Sequence, residues 1–264
     1  MLGAIIGDIV GSRFEYNNIK TKDFTFFDRG CSITDDTVLT VAIGKALLEC
    51  HGDYSQLSEL AVKYMQEIGR TYPEWIFGSM FRKWLNSDDP KPYNSFGNGA
   101  AMRVSACGFV ANSLSQAIEL SRAVTEVTHN HPEGIKGAEA TTVAIHMAKQ
   151  GESIDSIREY ISEHYYNLNF TLDEIRSTYE FKESCQESVP QAIVAFLEST
   201  SFEDAIRNAV SLGGDCDTIA AITGSIAEAY YGVPREVQDE MMHYIPEPLM
   251  EILVDIQENL FDTV

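Results

Sequence analysis

Two stretches of this 264-residue chain set carboxylates beside hydroxyls at the mouths of apolar segments. Thr34, Asp35 and Asp36 open "TDDTVLTVAIGKALL", and Asp215, Asp217 and Thr218 open "DCDTIAAITGSIAEAYY". Taken singly, each is accounted for as a helix start, because a Thr cap satisfies orphan N–H groups and Asp complements the positive helix end. The same composition occurring twice points to a shared task. Hard divalent cations take oxygen ligands only, and a pair of magnesium-like ions can draw on four carboxylates, two hydroxyls and water. A cation between carboxylates turns repulsion into attraction, whereas a close pair without one has at least one pKa pushed up. The two stretches lie near opposite ends of the chain, so spacing alone does not bring them together.

Three further groups have the types for chemistry. "NSFGNGAAMR", residues 94–103, is a glycine-bearing turn opening onto an apolar helix, a place where backbone N–H groups suit a phosphate or pyrophosphate. It matches neither a Walker loop nor G-x-G-x-x-G, and an ordinary loop-to-helix junction explains it equally well. His129 and His131 stand in H-x-H spacing, but no Cys or third His lies near enough in sequence to complete a zinc shell. A ligand contact, or a structured turn before Pro132, is the better reading. Glu15 sits at the edge of a long loop whose aromatic residues (Tyr16, Phe24, Phe26, Phe27) suggest that it folds down against the body, which puts Glu15 near a cleft.

The elements that must position these groups are helical. Apolar residues recur at i, i+3, i+4 over 38–50, 55–69, 115–128, 133–150, 153–164, 187–198, 202–211, 216–231 and 247–260, and few segments alternate like strands. Ser115 and Ser153 precede apolar runs as caps, Gly151 closes 133–150, and Pro234 follows 216–231. Non-helical stretches are expected at 13–34, 87–98, 128–133 and 211–215. Gly3, Gly7 and Gly11 recur on one face of a first helix, which predicts close packing of another backbone.

Bulk composition narrows the partners. Forty acids against 19 bases give a net charge of −21, which disfavours a broad nucleic-acid surface. Any anionic ligand must be held by local devices. Five scattered cysteines, never in C-x-x-C spacing, argue against a disulfide framework and for a reducing, cytoplasmic setting. The apolar N-terminus has no basic leader and is too short to cross a bilayer, so it is expected to pack inside, with no membrane contact.

Assembled in order, "GAIIGDIVGSRFE", "TDDT", "GNGAAMR", "TH" and "GGDCDT" with its helix resemble the ADP-ribosylglycohydrolase family over nearly the whole chain. The resemblance implies an all-α, compact single-domain orthogonal helical bundle over 1–264, with a dinuclear metal cleft holding two Mg2+ ions or, in some members, Mn2+. Thr34, Asp35 and Asp36 resemble one ligand set, and Asp215, Asp217 and Thr218 the other. Glu15 takes the place of the loop glutamate brought to metals and substrate. Ser95, Phe96, Gly97, Asn98 and Gly99 resemble the loop that contacts ribose and diphosphate, and His129 the histidine lining the same pocket.

The activity implied is hydrolysis of the bond from C1 of the distal ribose of ADP-ribose to an acceptor on a protein or small molecule. Glu15, Asp35, Asp36 and Asp217 are the catalytic candidates, one of the carboxylates near the attacking water accepting its proton. Two departures stand out. Some members carry Asp where Ser95 stands, so an arginine-linked substrate does not follow. Cys216, between two ligands, would be oxidation-sensitive if exposed. An all-helical magnesium-dependent nucleotide pyrophosphohydrolase and a non-catalytic ADP-ribose-binding module are the competing readings. A monomer is the default expectation.

Overall fold

The computed structural model describes residues 1–261 and is all-α among them, the one strand-like feature being an isolated antiparallel bridge between Gly97 and Ser184. In chain order the helices are α1 (Leu2–Ser12), α2 (Asp35–Glu49), α3 (Leu57–Gly69), α4 (Ser79–Leu85), α5 (Ser105–Val110), α6 (Leu114–Thr125) and α7 (Pro132–Lys149). Then follow α8 (Ile154–His164), α9 (Leu172–Ile175), α10 (Cys185–Leu197), α11 (Phe202–Leu212), α12 (Cys216–Tyr231), α13 (Arg235–Met241) and α14 (Glu247–Ile256). Among the described residues no helix is long and apolar enough to cross a membrane.

Helices α1 and α12 form the buried axis. A Cβ placed on Gly7 would lie 2.1 Å from the Ala220 carbonyl oxygen, and one on Gly11 would lie 2.5 Å from Asp217 Cα. The glycine face of α1 therefore meets α12 main chain to main chain, as the i, i+4 spacing predicts, and this brings the first and last thirds of the sequence into contact. Around that axis α2, α7, α10 and α11 close a single apolar core that includes Ile5, Ile9, Leu39, Ile43, Phe196 and Ile222.

Helix starts follow local chemistry. Thr34 caps α2, its hydroxyl accepting from Asp36 N–H at 3.3 Å, and Ser153 caps α8 by accepting from Ser156 N–H. One expectation is corrected: α6 is capped by Ser113, which accepts from Gln116 N–H at 3.2 Å, while Ser115 already lies inside the helix and bonds Glu119 instead. Gly151 ends α7 at φ +78°, a conformation that suits glycine. The short α4, α9 and α13 went unread, each too brief to show a period, and residues 257–261 leave the helical repeat of α14 as a π turn.

Candidate metal centre and active site

Helices α1, α2 and α12 each aim a carboxylate at one buried point. Oxygens of Asp8, Asp36 and Asp217 lie within 4.8 Å of one another, and so do oxygens of Glu15, Asp215 and Asp217. Asp217 belongs to both groups, so two sets of three carboxylates share a member. The junction is sealed by hydroxyls: Thr218 Oγ1 donates to Asp36 Oδ2 at 3.2 Å, and Thr34 Oγ1 contacts the same oxygen at 3.4 Å. Asp35, on the first turn of α2, feels the charges of Asp8 and Asp215 but stands outside both triads.

The electrostatics are those of a cation site. Burial, then mutual repulsion, raises Asp35, Asp36 and Asp217 well above the usual carboxylate range. Burial likewise lifts Asp8 and Asp215 to about 6. Among the described residues Asp36 Oδ1 is buried without a hydrogen-bond partner, which is costly for a carboxylate oxygen. An oxygen-only donor set with a buried orphan lone pair fits a hard divalent ion, so the residues present pass the chemical test for one.

Asp8 escaped the sequence reading. Its signal was a lone carboxylate in an otherwise apolar helix, a residue that cannot be buried unless something satisfies it. Its Oδ1 accepts from Thr34 Oγ1 at 2.7 Å, and its Oδ2 accepts from Thr34 N–H at 2.9 Å, Thr37 N–H at 3.1 Å and the Thr37 hydroxyl. Four donors match the roughly four acceptor sites of a carboxylate. Asp8 is thereby committed to locking the N-terminus of α2, and with it the aim of Asp36.

Glu15 lies on the segment after α1, half-buried, its carboxyl raised chiefly by burial. With Tyr16, Asn18 and Phe181 it lines a cavity of about 430 Å³. Tyr16 and Phe181 stand with near-parallel rings, centroids 6.4 Å apart, and Tyr16 is 82% exposed. Asn18 fastens this segment: its amide donates to Phe14, Glu15 and Gly214 carbonyls and its oxygen accepts from Gly214 N–H at 2.7 Å. Gly213 and Gly214, both at positive φ, form the hinge that Asn18 grips just before Asp215.

The glycine turn reaches the same centre. Asn98 Nδ2 donates to Asp215 Oδ2 at 2.7 Å, tying residues 95–99 to the acidic cluster. Two of its backbone donors are already engaged, however: Gly97 N–H bonds Ser95 Oγ and Asn98 N–H bonds the Glu183 carbonyl. The turn is thus less of a backbone cradle for a phosphate than its glycines suggest. His129 is buried with its ring against it, Nε2 being 3.4 Å from where a Gly99 Cβ would sit. Phe96 is 47% exposed and its ring meets His131 at 5.2 Å. His131 Nδ1 caps α7 by accepting from Glu133 N–H, and neither histidine belongs to a carboxylate triad of the acidic centre. Cys216 is fully buried and its thiol is pushed up by that burial, so it is a packed thiol and not an exposed oxidation site.

A sequence profile described as ADP-ribosylglycohydrolase matches residues 1–263. Among curated relatives, ADP-ribosylhydrolase ARH3 of Homo sapiens is 28% identical, over 89% of this chain and 85% of its own. The ARH3 of Xenopus tropicalis is 29% identical over 88% and 86%. ADP-ribosylarginine hydrolase Tri1 of Pseudomonas putida is 25% identical over 88% and 70%. A solved structure titled ADP-ribosylglycohydrolase-related protein complex shares the fold, with a TM-score of 0.67 at 20% identity over 97% of this chain and 95% of that one. With the profile spanning essentially every residue and the acidic stretches converging as that resemblance implies, the chain belongs to the ADP-ribosylglycohydrolase family.

Proposed function

We infer that this chain hydrolyses the glycosidic bond between ADP-ribose and an acceptor, on an ADP-ribosylated protein side chain or a small molecule, and releases ADP-ribose. The observation that carries the reading is the convergence of α1, α2, α12 and the Glu15 segment on two carboxylate triads sharing Asp217, in a chain of this family. Thr34, Asp35, Asp36, Asp215, Asp217 and Thr218 would hold two divalent cations, Mg2+ with Mn2+ as substitute. Bound there, the cations supply charge to orient an anionic substrate and lower the pKa of water toward neutrality.

The chain's own residues do the rest. Cleavage at the ribose C1 passes through oxocarbenium character, which calls for a placed water and a nearby base. Glu15 stands where it can accept that proton on a carboxylate oxygen, at the lip of the cavity it shares with Tyr16 and Phe181. Its burial raises the carboxyl above its ordinary value, which makes it a stronger base than an exposed glutamate. Ser95, Phe96, Gly97, Asn98, Gly99 and His129 would contact the ribose and diphosphate from the turn that Asn98 ties to Asp215. The reading takes residues 1–264 as one domain acting as a monomer in the cytoplasm, without a nucleic-acid partner.

The test is product analysis. The protein is incubated with peptides ADP-ribosylated on arginine or serine and with an ADP-ribosylated nucleobase, with Mg2+ or with EDTA. Release of free ADP-ribose that EDTA abolishes is the expected result. AMP as the product would instead reveal a pyrophosphohydrolase, and calorimetric binding of ADP-ribose with no turnover on any substrate would reveal a binding module.

A further inference from the structure

Behind the glycine turn lie two side chains, Arg103 and Thr128, that the chemistry above does not use. Arg103, the last residue of "GNGAAMR", is fully buried, and its Nη2 donates to Thr128 Oγ1 at 2.6 Å. Burial lowers its pKa only to about 10, so the guanidinium stays charged at neutral pH and can only donate. Among the described residues its Nε and Nη1 have no hydrogen-bond partner, so Thr128 is the contact the guanidinium makes there. Thr128 Oγ1 in turn lies 2.8 Å from His129 Nδ1.

The direction of that last bond follows from counting lone pairs. With Arg103 donating to it, the Thr128 hydroxyl needs an acceptor for its own hydrogen. Two are in range: the Thr125 carbonyl at 3.3 Å and His129 Nδ1 at 2.8 Å. The Thr125 carbonyl already accepts from the N–H groups of Thr128, at 3.1 Å, and His129, at 2.9 Å, and so has no lone pair to spare. The hydroxyl hydrogen goes to Nδ1. A neutral imidazole that accepts at Nδ1 carries its hydrogen on Nε2. Burial first, and the Arg103 charge second, hold His129 well below its ordinary pKa, which keeps the ring neutral.

We propose that Thr128, oriented by Arg103, is a positioning residue that fixes His129 as its Nε2–H tautomer and so presents a donor to an anionic or hydroxyl oxygen of the substrate at the Gly97–Gly99 turn. Nε2 makes no hydrogen bond to the protein among the described residues, and it faces the two positions where the absence of a Cβ leaves room, 3.7 Å from a Gly97 Cβ and 3.4 Å from a Gly99 Cβ. The need for such a donor is plain, since Gly97 and Asn98 N–H are engaged elsewhere. The identity of the oxygen, diphosphate or ribose of ADP-ribose, rests on the proposed function; the tautomer does not.

The experiment is a long-range proton–nitrogen correlation spectrum of the full chain labelled on histidine, which distinguishes a protonated from an unprotonated ring nitrogen, paired with titration of ADP-ribose in Mg2+. His129 in the unsubstituted protein is expected with bare Nδ1 and protonated Nε2. Thr128→Ser keeps that pattern and the affinity. Thr128→Val releases Nδ1, mixes the tautomers and weakens ADP-ribose roughly tenfold, the size of one lost hydrogen bond. A protonated Nδ1 in the unsubstituted protein overturns the proposal, as does Thr128→Val with tautomer and affinity both unchanged. The first readout needs neither a ligand nor a folded variant. Absence of ADP-ribose binding by the unsubstituted protein would count against the proposed function and leave the tautomer to be decided by the spectrum alone.

Discussion

Thr218 and Asp36 lie 182 positions apart in sequence, yet the hydroxyl of one donates to the carboxylate of the other at 3.2 Å. That bond joins the two acidic stretches into one centre, with Asp217, the neighbour of Thr218, serving both carboxylate triads.

Because Asp217 is shared, its removal is expected to do more than removal of a residue in one triad. Asp217→Asn should abolish turnover and eliminate Mg2+ binding measured by calorimetry in the absence of substrate. Asp36→Asn should also abolish turnover but leave residual Mg2+ binding at Asp215 and Asp217. Equal, full Mg2+ binding by both variants would refute the shared-ligand arrangement.

Stability should depend on pH in opposite ways with and without metal. A carboxyl raised to about 6 in the folded protein, as for Asp8 and Asp215, holds its proton more tightly than in the unfolded chain, where it titrates near 3.9. The folded state binds more protons between those values, so stability without metal falls as pH climbs from about 4 to about 6. The more strongly raised Asp36 and Asp217 extend the decline above that window. Mg2+ favours the ionised forms, so the gap in Tm between Mg2+ and EDTA samples should widen across the same range. A gap that stays constant from pH 4 to 8 would contradict it.

The contact between α1 and α12 predicts a sharp contrast among glycines. Gly7→Ala puts a Cβ 2.1 Å from a backbone oxygen that cannot swing aside, and should cost at least the ~1–3 kcal/mol typical of overpacking, with Mg2+ affinity falling in parallel. Gly30→Ala meets only ordinary contacts, the nearest at 3.7 Å, and should stay within about 0.5 kcal/mol. Urea unfolding of the two variants decides it.

The corrected cap of α6 gives a further contrast. Ser113→Ala should destabilise by about 1 kcal/mol, because it orphans Gln116 N–H, whereas Ser115→Ala loses only an exposed bond to Glu119 and should cost a few tenths. Thermal melts showing equal losses would restore Ser115 as the cap.

The long helices were legible because each buries a stripe whose period shows over three or more turns, as in 133–150 against Pro132–Lys149 and 216–231 against Cys216–Tyr231. Their ends were less so: two serines near residue 114 are chemically equivalent caps, and only the fold chooses Ser113. In the site, paired aspartates beside threonines announced themselves by type and repetition. Asp8 did not, since a single acid in an apolar helix has no partner visible in sequence, and its four donors come from residues 34 and 37. Asn18 and Thr128 were silent for the same reason: what they do is set by which backbone groups they meet, and neither residue type advertises that.

The bare face of α1 has one more consequence. Magnesium–oxygen bonds are about 2.0–2.1 Å and calcium–oxygen bonds about 2.3–2.6 Å, so a binding site tells the two apart by whether it can dilate. Here Asp8 and Asp217 are carried by main chains that touch across Gly7 and Gly11, so the spacing of those two backbones has little freedom to grow. If the acidic centre takes a divalent ion, that stiff spacing should favour the smaller one, and calorimetry comparing Mg2+ with Ca2+ would show equal affinities if it does not.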